Sequence, residues 1–152
     1  MQVKKIVMAS DHAACELKSF LKDALISQGY EIIDCGTESA QVSVDYPDKA
    51  YLLAKVLKKN DADMGILLCG SGIGMSIAVN RYDHIRAALV HSIDYAKLAR
   101  QHNDANVLVL GGRFLNPQEA LEITNTFLMT DFEGERHARR VAKLGDMPHD
   151  FE

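Results

Sequence analysis

Short apolar runs alternate with helix-spaced stretches along the whole chain, and this narrows the available folds more than any other feature. Ile6-Val7-Met8-Ala9, residues 30–34, the unbroken apolar run 64–69, residues 85–90 and residues 106–110 have the length of strands. Between them the spacing predicts helices over 13–28 (stopped by Gly29), 48–59, 73–81 and 93–101. A helix over 117–129 opens on Pro117, whose fixed φ suits a first helical turn. A basic helix over 134–145 and a loose tail from Asp146 follow.

Strands separated by helices run parallel, and right-handed crossovers place the helices on both faces. The expected fold is therefore α/β: a Rossmann-like three-layer α/β/α sandwich with a five-stranded parallel sheet and an extra C-terminal helix, one domain over 1–152. The third run, apolar at every position, belongs at the centre of the sheet. Ligands of such sheets lie beyond the carboxyl ends of the strands. That rule gathers Ser10-Asp11-His12, residues 69–74, His91-Ser92 and Gly111-Gly112-Arg113 on one rim.

Composition removes several function classes. A net charge of −4 disfavours a general nucleic-acid-binding role. No apolar run approaches the roughly 18 residues of a membrane span, and the first residues carry no signal-peptide core. Cys15, Cys35 and Cys69 are odd in number and widely spaced, which disfavours a disulfide framework or a zinc site and fits reduced thiols in a cytoplasm.

The third strand ends in Leu67-Leu68-Cys69-Gly70-Ser71-Gly72-Ile73-Gly74. Glycines at alternate positions let backbone N–H groups point into one concavity, and a helix N-terminus beside them favours negative charge. Such a turn holds an anion or a developing oxyanion and activates a neighbouring thiol. A lone cysteine is more often a small buried hydrophobe, and Cys15 and Cys35 read that way. The turn misses the dinucleotide fingerprint, because Met75 and Ile77 stand where a third glycine belongs.

Asp11 is either a helix cap or, with His12, a contact to sugar hydroxyls or phosphate. Arg100-Gln101-His102-Asn103-Asp104 reads as a helix C-terminus with Asn103 turning the chain, or as the seat of a general acid–base, His102. Arg136 and Arg140 share one helical face, usually a solvated one. In an acidic chain, a paired arginine face with Arg113 as a third member suggests a small phosphorylated ligand. Asp45-Tyr46-Pro47 reads as a simple turn.

Together these residues resemble the type B ribose-5-phosphate isomerases, a family that also contains galactose-6-phosphate isomerase subunits. The resemblance covers Ile6 to about Val141 and rests on Ser10-Asp11-His12, Asp45-Tyr46-Pro47, the turn 69–74, residues 100–104 and Arg136 with Arg140. It implies an aldose–ketose isomerase that interconverts ribose 5-phosphate and ribulose 5-phosphate through a cis-enediolate without a cofactor or metal. Cys69 is then the proton-transfer base. Some members use a glutamate six residues further on, where this chain has Met75. His102 with Asp11 opens the furanose ring, and Ser71 with Gly70, Gly72 and Gly74 holds the enediolate oxygen. Asn103 and Tyr46 contact the sugar, and His12, Arg113, Arg136 and Arg140 hold the phosphate. Family members are dimers or tetramers with shared sites, His102 coming from the partner. Rival expectations are another substrate (allose 6-phosphate, galactose 6-phosphate or a tetrulose phosphate), a non-catalytic sugar-phosphate-binding module, and a redox-sensing role for Cys69.

Overall fold

Residues 2–152 are described by a computed structural model. The strands are β1 (Lys5–Ser10), β2 (Glu31–Asp34), β3 (Met64–Cys69), β4 (Ala87–Leu89) and β5 (Val107–Gly111). The helices are α1 (Cys15–Ser27), α2 (Tyr46–Lys58), α3 (Ile73–Val79), α4 (Ile93–Asn103), α5 (Pro117–Met129) and α6 (Arg136–Leu144). All strand pairs are parallel, in the order β2-β1-β3-β5-β4. β3 is central and buried at every residue, as its wholly apolar sequence requires.

The strand period of two divides the core. Val7, Ala9, Leu67, Cys69, Val107 and Val109 meet Leu53 of α2 and Met75 and Val79 of α3. Ile6, Met8, Ile66, Leu68, Leu108 and Leu110 meet Leu21 of α1, Ala96 of α4 and Phe127 of α5. Right-handed crossovers explain the sorting. The α1 and α4 connections step one way across the sheet and share a face; α2 and α3 step the other way and share the opposite one. No helix among the described residues is long and apolar enough to cross a membrane.

Element ends depart from the expected ranges where side chains intercept the backbone. Asp11 Oδ1 accepts from Ala14 N at 3.2 Å, so a 3-10 turn (His12–Ala14) precedes α1. α2 starts at Tyr46, earlier than expected, with Pro47 in its first turn. α3 stops at Val79, and Asn80 instead brackets β4, accepting from Ala87 N and donating to Ala87 O. β4 spans only three residues because Arg86 N donates to the Asn106 side chain at 2.7 Å. α4 runs on through His102 and Asn103. Asp104 (φ 46°), not Asn103, is the left-handed residue that turns the chain. Arg100 is buried here and secures this end, donating to Asp104 Oδ1 (2.9 Å), Ala105 O (2.6 Å) and Thr130 O (3.2 Å).

Lys18 is 1% exposed on the core face of α1. Its Nζ pairs with Asp34 at the end of β2, and that carboxylate also takes hydrogen bonds from Lys22 and from Gly36 N. Gly36 and Thr37 in turn bond the backbone of Ser10 at the end of β1, fixing the strand that delivers Asp11 and His12. Burial pushes the Asp34 carboxyl up, but the hydrogen bonds from Lys18, Gly36 N and Lys22 outweigh it and hold it below 3.8. A depressed folded-state value means this stability is complete above 3.8 and fades as pH falls through the folded value. Lys18→Met is expected to lower unfolding free energy by about 2–3 kcal/mol near neutral pH, because it removes one partner of a largely buried pair. Urea melts of both proteins should show the gap narrowing in acid, once Asp34 is protonated in each.

Candidate active site

The carboxyl ends of β1, β3 and β5 bring together most of the expected rim. Cys69 ends β3 with only 5% of its surface exposed, and its Sγ accepts a hydrogen bond from Gly72 N at 3.2 Å. Gly72 sits at φ 81° immediately before α3, a conformation that a side chain would strain. Ser71, half-buried between them, accepts from Ile73 N at 3.2 Å. The β5 loop locks onto this turn: Gly112 N donates to Cys69 O at 2.8 Å and Arg113 N to Gly70 O at 2.9 Å. The Arg113 guanidinium consequently lies over Gly70.

Two further elements close on the turn. Tyr46, at the head of α2, lays its ring against Gly74; a Cβ there would stand 2.7 Å from Tyr46 Cζ, so only glycine admits the ring. His12 Nδ1 accepts from Val44 N at 3.3 Å. In the neutral ring this places the proton on Nε2, leaving that nitrogen free to donate. Asp11 caps the 3-10 turn through one oxygen, so its capping and ligand-facing readings are compatible. Ser92 caps α4 by accepting from Tyr95 N, a structural role, and His91 beside it is exposed.

The other expected residues gather on the side of the strands' amino ends. α4 runs antiparallel to the strands, so His102 and Asn103 lie near Asn106, whose carbonyl accepts from Gly65 N at the start of β3. His102 stacks on His137 of α6, with ring centroids 4.4 Å apart and planes 12° from parallel. Its Nε2 is 3.5 Å from Glu133 Oε1. Arg136 and Arg140 are exposed on the same helix as His137. Burial, with Arg136 and His102 adding to it, pushes His137 below 6.5, against the pull of Glu133. The nitrogens and carboxylate of His102, Glu133 and His137 lie within 4.8 Å of one another. Near-parallel stacked rings aim their lone pairs side by side, however, so they do not converge on a tetrahedral ion.

Cys15 donates to Thr37 O at 3.2 Å inside the core. Burial and then Asp34 push the Cys35 thiol up. Neither has the setting of a reactive thiolate. Lys18 and Asp34 went unread in the sequence, although Lys18 falls in phase with Cys15, Leu21 and Leu25 on the apolar stripe of α1, the signature of a buried charge.

Comparison with known proteins finds relatives along nearly the whole chain. A family model described as ribose/galactose isomerase matches residues 6–144. A crystal structure of a ribose 5-phosphate isomerase from Thermotoga maritima is 52% identical, covers 97% of this chain and 100% of its own, and superposes with a TM-score of 0.92. The ribose-5-phosphate isomerase B of Mycoplasma genitalium, solved with bound ribulose-5-phosphate, is 41% identical with a TM-score of 0.89, covering 96% of each chain. D-erythrulose-4-phosphate isomerase of Pectobacterium atrosepticum is 40% identical over 144 residues, 95% of each chain. The match spans every strand and helix that carries a rim residue or the His102 cluster, and the chain belongs to the ribose/galactose isomerase family.

Proposed function

We propose that this protein interconverts ribose 5-phosphate and ribulose 5-phosphate, with Cys69 moving the proton between C1 and C2. The observation that carries this reading is the Cys69 thiol, set at the end of the central strand beside the glycine turn, with Gly72 N donating to its sulfur. As thiolate, Cys69 takes the C2 proton and returns it to C1. Electrons shift within the sugar from one carbon to its neighbour, so the balance closes without an outside acceptor. Ser71 and the N–H groups of residues 70–74 hold the enediolate oxygen, a kind of contact worth roughly 3–4 kcal/mol per donor elsewhere. Tyr46 lines the sugar's path beside Gly74. His12 Nε2 and Arg113 take the phosphate together with Arg136 and Arg140, whose guanidinium forks suit its oxygens.

Asp11 and His102 open the ring, and Asn103 contacts the enediolate. Because His102, Asn103, Arg136 and Arg140 sit on the amino-end side of their own sheet, a working site takes them from a second copy of the chain. Ile73 and Ile77 of α3 and Phe114 after β5 are exposed, and Ile73 and Phe114 line one groove, apolar surface suited to burial between copies. Three free cysteines support a reducing compartment, the cytoplasm.

The test is an initial-rate panel of ribose 5-phosphate, allose 6-phosphate, galactose 6-phosphate and erythrulose 4-phosphate. The highest kcat/KM is expected on ribose 5-phosphate. Preference for the four-carbon substrate would place the chain with its Pectobacterium relative instead. Tight binding of the panel without turnover would reduce it to a sugar-phosphate-binding module.

A further inference from the structure

His137 has no task in the mechanism above, yet it is the one buried residue of α6 and its Nε2 has no hydrogen-bond partner among the described residues. A polar atom so buried is normally satisfied, and its persistence asks for a reason. The ring does one visible thing: it lies flat against His102. We propose that His137 is a positioning residue, a flat wall that fixes the plane of the His102 imidazole, with Glu133 bounding the ring on its Nε2 side.

Four charged or titratable groups surround the His137 ring: His102 on α4, Glu133 on the connection from α5, and Arg136 and Arg140 on its own helix. Three of these disfavour a charge on His137, and its burial acts in the same sense. His102 differs. Its side chain is 40% exposed, and a carboxylate oxygen stands 3.5 Å from its Nε2. The two rings therefore divide the work. The buried ring supports, and the exposed one is open to a ligand. With Glu133 holding one side and His137 covering one face, His102 presents a single orientation toward a substrate.

This inference rests on the ring-opening role of His102 in the reading above, so its test has a readout independent of turnover. Ring-proton resonances of the full-length protein, with His102 identified by its loss in His102→Asn, are followed in His137→Ala and His137→Phe. The His102 resonance should lose its ring-current shift in the alanine variant and keep a comparable one in the phenylalanine variant. On ribose 5-phosphate, kcat should fall about tenfold in His137→Ala at nearly unchanged KM, and His137→Phe should recover most of it, since orientation accounts for part of acid–base catalysis. An unresponsive His102 resonance, a loss confined to KM, or a phenylalanine variant as impaired as the alanine one overturns the positioning role. A wild type that isomerises nothing refutes the functional reading instead, and the resonances still decide whether His137 positions His102.

Discussion

Cys69→Ala is expected to lower kcat for ribose 5-phosphate by about 10³-fold while sugar-phosphate binding changes less than about threefold, the pattern of a lost acid–base group. The cysteine contributes little contact area at the rim, being almost wholly buried, so its removal should not reshape the phosphate contacts. It does remove the acceptor of Gly72 N, and an orphaned buried donor costs about 1–3 kcal/mol. A loosened turn and a missing base must therefore be separated. Cys69→Ser does this: its hydroxyl can still accept from Gly72 N, but an alcohol holds its proton far more tightly than a thiol. If Cys69 is the base, serine should recover thermal stability without recovering turnover. Calorimetry with ribulose 5-phosphate supplies the binding side. Recovery of turnover by serine, or binding lost in proportion to kcat, would remove Cys69 from proton transfer and leave it a structural element of the turn.

The residues that were legible in the sequence share a property: their meaning depends on local pattern. Cys69 before three glycines, Asp11 after an apolar strand and Pro117 at a helix start each declare themselves within a few positions, and each element formed where its pattern lay. The slot of β5 between β3 and β4 was not readable, because alternation dictates parallel strands and handedness but not how many neighbours a crossover skips. The extent of α4 was missed for a different reason. Its end is set by Asp104 in a left-handed conformation and by Arg100 reaching Thr130, a contact thirty residues away. The His102–His137 stack and the Lys18–Asp34 pair likewise join residues distant in sequence, and only packing reveals them. Lys18 still left a trace, a charge in the middle of an apolar stripe. His137 left none beyond its place between two arginines already under suspicion.

Mixed oligomers pairing a Cys69→Ala copy with a His102→Asn copy should regain about half the wild-type turnover per dimer, although each variant alone is nearly inactive. The reason is topological. Cys69 lies at the carboxyl end of β3, four residues and about 13 Å along the strand from Gly65. Asn106, whose carbonyl Gly65 N contacts, is only a few residues beyond His102. α4 carries the chain back across the whole depth of the sheet, about 16 Å for its eleven residues, and so takes His102 away from the thiol. No side-chain rotation spans that gap. In a two-fold dimer each site would combine one copy's Cys69 with the other copy's His102. One of the two sites in the mixed dimer then collects both lesions, and the other is intact. Differently tagged copies, co-expressed and purified through both tags in turn, give the mixed species free of either parent. Turnover near half of wild type would establish that the site is built from two chains. If instead the thiol and the imidazole acted within one chain, every site would carry a lesion, and the doubly tagged protein would be as inactive as its parents.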